Sequence, residues 1–196
     1  MRLSGKGMVV GAALLVLAPS AWATTYAIDP DHTTIGFKIR HLFAKVQGTF
    51  DRVEGTFEYV PGHPEQWKAT ATIQASSINT RVAQRDKHLQ SKDFFEVETY
   101  PIITFTSTGV SDATATGAKL SGFLTLHGAQ KPVTFTLEIY GEAKDPWGNQ
   151  RSGFTATTTI NRKDFGLNWN QVVETGQLLV GEDVEITIEV EGVATP

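Results

Sequence analysis

Val184-Glu185-Ile186-Thr187-Ile188-Glu189-Val190-Glu191 alternates apolar and polar side chains without a break. Successive side chains of a β-strand point to opposite faces, so such a run has one dry face and one wet face. On a helix the same residues would scatter their apolar groups around the axis. Trp67-Lys68-Ala69-Thr70-Ala71-Thr72-Ile73-Gln74-Ala75 repeats the pattern, with an apolar or small residue at every odd position. Val133, Phe135, Leu137 and Ile139 alternate with Thr134, Thr136, Glu138 and Tyr140, and Ile35, Phe37 and Ile39 alternate with Gly36, Lys38 and Arg40. Weaker alternation runs through Gly55-Phe57-Tyr59, Ile103-Phe105-Ser107, Leu120-Gly122-Leu124-Leu126 and Phe154-Ala156-Thr158-Ile160. Threonine is frequent on the wet faces, where its β-branched side chain suits the pleat.

Turn chemistry separates these runs. Pro61-Gly62-His63-Pro64, Gly128-Ala129-Gln130-Lys131-Pro132 and Asp145-Pro146-Trp147-Gly148-Asn149 all read as turns. About eight or nine strands with short polar connections predict an all-β antiparallel barrel or sandwich. A doubly wound α/β fold would need long helices between the strands, and none is evident. Between Ser76 and Pro101 the alternation stops. Asn79 or Thr80 is placed to cap a helix, and Arg81 to Gln90 carries helix formers with Val82 and Leu89 on roughly one face. Phe94-Phe95 and Tyr100-Pro101 follow. The stretch reads as one or two short helices in a crossover that covers one end of a barrel. No internal repeat or second domain is evident.

The chain has 196 residues, 40% of them hydrophobic and 19% charged, which excludes a disordered chain and a polytopic membrane protein. With 17 Lys+Arg against 21 Asp+Glu the net charge is −4. That excess of anions argues against a nucleic-acid partner, which would need clustered cations. Zero cysteines exclude a disulfide scaffold, a thiolate metal site and a cysteine nucleophile. At the N-terminus Arg2 and Lys6 precede an apolar run, Met8 to Ala18, that is too short to span a bilayer. Pro19 and the triplet Ala21-Trp22-Ala23 follow, so residues 1–23 read as a secretory signal peptide. Its removal leaves residues 24–196 as one exported domain with a net charge of −6 and no membrane span.

A barrel of about eight strands is either packed solid or holds one small ligand. On the inward faces Ala69, Ala71, Ala75, Gly122 and Ala156 are small, while Phe37, Phe57, Phe105, Phe135 and Phe154 are large. Small residues opposite large ones fit a dry, interdigitated core, to which patterning alone leans, or a long apolar cavity suited to a hydrocarbon chain. Arg81, Arg85, Lys87 and Lys92 against Asp86 give one short window a charge of +3. This is either a basic rim that receives a polar or anionic head group, or a solvated helix whose charges pair locally with Asp86, Asp93 or Glu96.

Three rival readings have weaker support. Asp86, His88 and Ser91 invite a hydrolase or isomerase triad, but Asp86 and His88 diverge on a helix and no G-x-S-x-G elbow is present. His32, His41, His63, His88 and His127 are scattered and form neither H-x-H nor H-E-x-x-H, so no metal site is expected. An adaptor reading rests on Glu185, Glu189 and Glu191, better read as a solvated face or as charge guarding an exposed edge. By alternation Phe123 faces outward, and a homodimer through Phe123 and Trp147 is an expectation if both are exposed.

At these same residues the sequence resembles the YceI family of bacterial periplasmic, polyisoprenoid-binding proteins. Tyr26-Ala27-Ile28-Asp29, His32 and Ile35-Gly36-Phe37-Lys38-Ile39-Arg40-His41 are similar to the family's opening strand. Gly48-Thr49-Phe50 and Gly55-Thr56-Phe57 follow in order. The most specific similarity is Ile78-Asn79-Thr80, then Arg85 to Phe95, then Tyr100-Pro101 and Thr104-Phe105-Thr106-Ser107-Thr108. Gly122 to Gly128, Lys131-Pro132-Val133 and Arg162-Lys163-Asp164-Phe165-Gly166 complete it. The resemblance covers nearly all of the mature chain. It implies an extended, eight-stranded, lipocalin-like barrel with a helix beside it, and a long isoprenoid or fatty-chain amphiphile, such as an isoprenoid quinone or its precursor, in the barrel. On that reading the tail is lined by Phe37, Ile39, Phe57, Ala69, Ala71, Ile73, Phe105, Leu124, Leu126, Phe135, Leu137, Phe154, Ala156, Ile186 and Ile188. Arg81, Arg85 and His88 form the head-group rim. The resemblance transfers no catalytic residue, and beyond the bound lipid no cofactor is expected.

Overall fold

The computed structural model describes residues 23–195, so all of the expected leader except Ala23 lies outside the described residues. Eleven strands are present among them: β1 (Thr24–Ile28), β2 (Thr34–His41), β3 (Ala44–Phe50), β4 (Val53–Tyr59), β5 (Lys68–Gln74), β6 (Ile78–Asn79), β7 (Ile102–Ser111), β8 (Gly117–Leu126), β9 (Ala129–Lys144), β10 (Gln150–Asn161) and β11 (Val180–Ala194). The helix α1 (Ala83–Gln90) lies between β6 and β7.

Three pairs of these strands act as single bent staves. A 3₁₀ turn at Pro30–His32 interrupts β1 and β2, residues 51–52 interrupt β3 and β4, and a 3₁₀ turn at Ala75–Ser77 interrupts β5 and β6. The pairings then run in chain order, all antiparallel, through eight staves and back to the first. The long β11 closes the ring. One of its edges pairs with β10, and the other pairs with β2 and, through Tyr26↔Ala194, Ala27↔Val193 and Ile28↔Gly192, with β1. Closure of this kind leaves no stave with a wholly free edge among the described residues, although β9 has no partner in β10 before Thr136.

Because the staves alternate in direction, the connections fall into two sets. One end, called here the helical end, carries the β2–β3 hairpin, the α1 crossover, the β8–β9 turn and the segment 162–179. The opposite end carries the β4–β5, β7–β8 and β9–β10 connections, and it is filled by side chains but for a hollow of about 30 Å³ beside Trp67 and Leu137. Trp67, Ala118, Leu120, Phe135, Leu137, Ile139 and Ala156 form one buried cluster there. The Trp67 indole N–H donates to the Val60 carbonyl at 2.6 Å, which satisfies the one polar atom that this plug would otherwise bury unpaired.

The all-β antiparallel barrel is as read from the alternation, with four local differences. Gly128 to Pro132 was expected to be a turn, but the turn is His127–Gly128 alone and β9 already includes Pro132. Pro132 is tolerated because β9 pairs with β10 only from Thr136 onward, so on that side no ladder hydrogen bond is missing. Neither Asn79 nor Thr80 caps α1, whose N-cap position is Val82. Instead Asp86, inside the helix, accepts from the Thr80 backbone N–H at 2.8 Å and from its hydroxyl at 2.5 Å. Val82 therefore precedes the helix, is exposed, and shares no face with Leu89. Lastly, β11 is not an edge. Glu185 pairs with Lys45, Glu189 accepts from Thr155 at 2.6 Å, and Glu191 pairs with Arg151 at 2.5 Å. Phe123 and Trp147 are both exposed. Among the described residues no helix is long and apolar enough to cross a membrane.

Candidate functional site

Between the packed end and the helical end the barrel encloses a cavity of about 340 Å³. By the same measure a single water needs roughly 10–15 Å³. This is therefore a ligand-sized space and not a packing defect. Small and large inward residues do interdigitate in places. A Cβ on Gly122 would lie 2.6 Å from the Phe105 ring, and one on Gly48 would lie 2.5 Å from the Phe37 ring, so the far end of each ring covers a glycine on the neighbouring stave. The interdigitation presses these rings against the wall and leaves the axis open. Phe37, Ile39, Phe105, Phe154 and Ile186 point inward yet are only half-buried, because their inner faces meet the cavity.

Phe37, Ile39, Phe57, Ala69, Ala71, Ile73, Phe105, Leu124, Leu126, Phe135, Phe154, Ala156, Ile186 and Ile188 all border the cavity. Leu137 does not. It pairs with Ala118 in the packed end, one inward position below Phe135, where Trp67 and Ile139 fill the barrel. The wall so formed is alkyl and aromatic, and its charged side chains are gathered at the helical end.

Arg85 and His88 of α1 reach the cavity wall, and Arg81 does not. Arg81 is exposed, with φ +65°, in the turn before α1, and its backbone N–H donates to the Asn79 side chain at 2.9 Å. Arg85 is held by Thr80, donating Nε–H to the hydroxyl at 2.7 Å and a terminal N–H to the carbonyl at 2.8 Å. Thr80 is buried and thus links Asp86 and Arg85 in one network. The local ion pairs anticipated for Arg85 and Lys92 are not formed among the described residues. His88 lies 2.8 Å from Asp93, and its ring stands edge-on to Phe94 and Trp169, each centroid 5.1 Å away. Phe94 and Trp169 also line the cavity, so these three rings form an aromatic collar at its helical end.

A further charged residue lines the cavity and was not among those expected. Arg162 follows β10 in a 3₁₀ turn closed by Gly166 at φ +78°, and it is 3% exposed. Its Nε–H donates to the Gly181 carbonyl at 2.8 Å and one terminal nitrogen donates to the Leu167 carbonyl. Burial pushes its pKa down from the ordinary arginine range, and Glu182 opposes this weakly. A signal for it was present. The inward series Phe154, Ala156, Thr158, Ile160 continues at the same spacing to Arg162.

The residues of the rival readings are occupied elsewhere. Asp86 accepts from Thr80, His88 faces Asp93, and the Ser91 hydroxyl donates to the His88 carbonyl at 2.7 Å, so the three form no relay. Among the described residues one group, Asp29, His32 and Glu191, has metal-ligand spacing. Its two carboxylates already hold the Arg151 guanidinium, at 2.8 and 2.5 Å.

A closed eight-stranded barrel with an apolar cavity and a cationic end defines a class of small-ligand barrels. The sequence profile of the YceI-like domain matches residues 26–192. A UPF0312 protein of Pseudomonas putida strain W619 is 40% identical over 196 residues, covering 98% of each chain. The crystal structure of the Campylobacter jejuni YceI protein is similar at a TM-score of 0.70 and 30% identity, over 80% of this chain and 90% of that one. A polyisoprenoid binding domain from Saccharophagus degradans shares the fold at a TM-score of 0.63 and 18% identity, over 87% of this chain and 98% of that one. The chain belongs to the YceI-like family.

Proposed function

We propose that this protein binds the hydrocarbon tail of a long-chain isoprenoid lipid in its barrel and carries it through the bacterial periplasm, without chemically changing it. The observation that carries the reading is the cavity of about 340 Å³, walled by alkyl and aromatic side chains and charged only at one end. The polyisoprenoid-binding relative of the same fold supports isoprenoid over other tails. The leader-like sequence of residues 1–23 supports export. Each buried methylene contributes about 0.8 kcal/mol, so a tail of roughly 20 buried carbons supplies about 16 kcal/mol before the costs of association. An exposed ion pair at the rim adds about 0–1 kcal/mol. The tail therefore sets affinity, while the charged end sets orientation.

Protein purified from its own host, extracted with organic solvent and analysed by mass spectrometry, is expected to release a long-chain amphiphile in near-equimolar amount. A protein that releases no lipid and takes up no isoprenoid analogue would overturn the reading.

A further inference from the structure

Seven large apolar side chains are exposed among the described residues, and four of them belong to connections of the helical end. Phe43, 91% exposed, is at the tip of the β2–β3 hairpin, and Val82 stands just before α1. Val172 and Leu178 oppose each other across an antiparallel bridge. Opposed residues of such a bridge project to the same side, so these two make one patch. The Leu42 N–H donates to the Leu179 carbonyl at 3.0 Å, which holds the two hairpins side by side with Phe43 and Leu178 one residue beyond the bond. Because β6 pairs with β3, Val82 lies on the adjoining connection. His41, Leu89 and Leu179 on the same three elements line the cavity, so the exposed tips stand around its helical end. The other three exposed side chains, Phe123, Tyr140 and Trp147, lie on the outer wall or in the β9–β10 connection. Single exposed apolar residues are common, but four on adjoining tips form a surface.

Cations accompany these tips. Arg40 and Lys45 flank Phe43, Arg81 precedes Val82, and Lys87 and Lys92 lie on and just after α1, all of them exposed. Lys45 pairs with Glu185, and the other four form no ion pair among the described residues. Asp86 and Asp93 are engaged by Thr80 and His88. Glu98 and Asp164 belong to the far side of this end, where residues 96–100 and the turn after β10 meet His127. Glu174, in the turn between Val172 and Leu178, is the opposing acid within the patch. At the other end of the barrel the connections 60–67, 112–116 and 145–149 hold Glu65, Asp112 and Asp145 and no lysine or arginine. Apolar tips set among unpaired cations suit the interface of an anionic bilayer, where the apolar groups enter the acyl boundary and the cations meet phosphates. A second copy of the chain would bring the same cations face to face, which opposes self-association through this patch.

We propose that the β2–β3 tip, the start of α1 and the 172–178 hairpin form a docking face for the surface of an anionic phospholipid bilayer. The contact is peripheral and reversible, because the apolar tips are few. Docking itself does not depend on the lipid-binding reading. Its use does rest on that reading: a cavity end held against a bilayer exchanges a tail without passing it through water.

The test is co-sedimentation of the purified protein with protein-free vesicles. One set is one quarter phosphatidylglycerol in phosphatidylethanolamine, and the other is phosphatidylcholine alone. The protein should partition about tenfold or more strongly onto the anionic set, and added salt should weaken that partition. Phe43→Ser should weaken it about tenfold, as should the double variant Lys87→Glu with Lys92→Glu. Glu174→Lys should strengthen it, and Trp147→Ser, at the other end of the barrel, should leave it unchanged. All these side chains are exposed, so the variants should keep the wild-type circular dichroism spectrum. Failure to sediment with either set, equal partition onto both, or wild-type partition by folded Phe43→Ser and by the double lysine variant would overturn the docking face. Binding to membranes from the host but not to protein-free vesicles would also overturn it, in favour of a membrane-protein partner. Tail uptake is measured separately with a fluorescent isoprenoid analogue added from ethanol. Uptake without docking overturns this inference alone, and docking without uptake overturns the lipid-binding reading alone.

Discussion

Ala71 and Leu137 separate two roles that alternation cannot distinguish. Both point inward, but Ala71 stands opposite Phe105 on the cavity wall, whereas Leu137 sits in the packed end. Ala71→Phe should project a ring into the cavity, lowering the affinity for long-chain ligands tenfold or more with only a small change in melting temperature. Calorimetry and thermal unfolding check this. Leu137→Ala leaves a void in a filled cluster, a change that costs about 2–5 kcal/mol. Urea unfolding should show that loss, with ligand affinity retained in the folded fraction. Period-two patterning therefore made the inward face legible residue by residue, but not the level along the barrel axis. The same limit explains the rim. Arg81 and Arg85 are equivalent as charges in the sequence, and only the turn before α1, with Arg81 at φ +65°, sends one outward and the other to the wall. Arg162 was hidden because a cation at an inward position looks like the end of a strand.

At the scale of elements, two polar clamps hold the barrel's irregular parts. Thr80 ties α1 to β6 through Asp86 and Arg85. Thr80→Val would remove one hydrogen bond each from a half-buried carboxylate and a half-buried guanidinium, at about 1–3 kcal/mol. Amide exchange should then accelerate in residues 83–97 before it does in the strands. This clamp was not legible as a cap, because the carboxylate reaches back from within the helix and not forward from before it. The second clamp is Arg151, which joins Asp29 after β1, Asp145 in the β9–β10 turn and Glu191 of β11. It lies beside the three-residue β1–β11 part of the ladder that closes the ring. Arg151 is the main reason that the Asp29 carboxyl is held at about 2, below the usual 3.8. A depressed folded-state pKa means that ionised Asp29 stabilises the fold above about pH 4, and that this contribution fades as the pH falls toward 2. In urea titrations the wild type should exceed Asp29→Asn in stability by a constant amount above about pH 4, and the gap should close as the pH approaches 2.

Across the whole molecule, the eight antiparallel staves were legible because each carries a run of apolar or small residues at every second position, broken only locally, as at Ser107 and Thr158. Closure was legible less directly, since the pairing of β1 and β2 with β11 joins residues from His41↔Val180 outward to Tyr26↔Ala194, far apart in the chain. The interior was the least legible feature. Phe37 and Phe105 place the far ends of their rings over Gly48 and Gly122, which patterning reads as a filled core, yet the axis is open. One end plugged by Trp67 and the other lined by cations give the barrel a polarity, and the proposed lipid binding assigns the tail to the apolar end and the head to the cationic one. The most direct test is a crystal structure of protein purified from its own host. The account predicts elongated electron density running continuously from Arg162 and Trp169 to the rings of Phe154 and Phe135. Discrete water peaks along the axis, or side chains collapsed to fill it, would contradict the claim that this barrel holds a lipid tail.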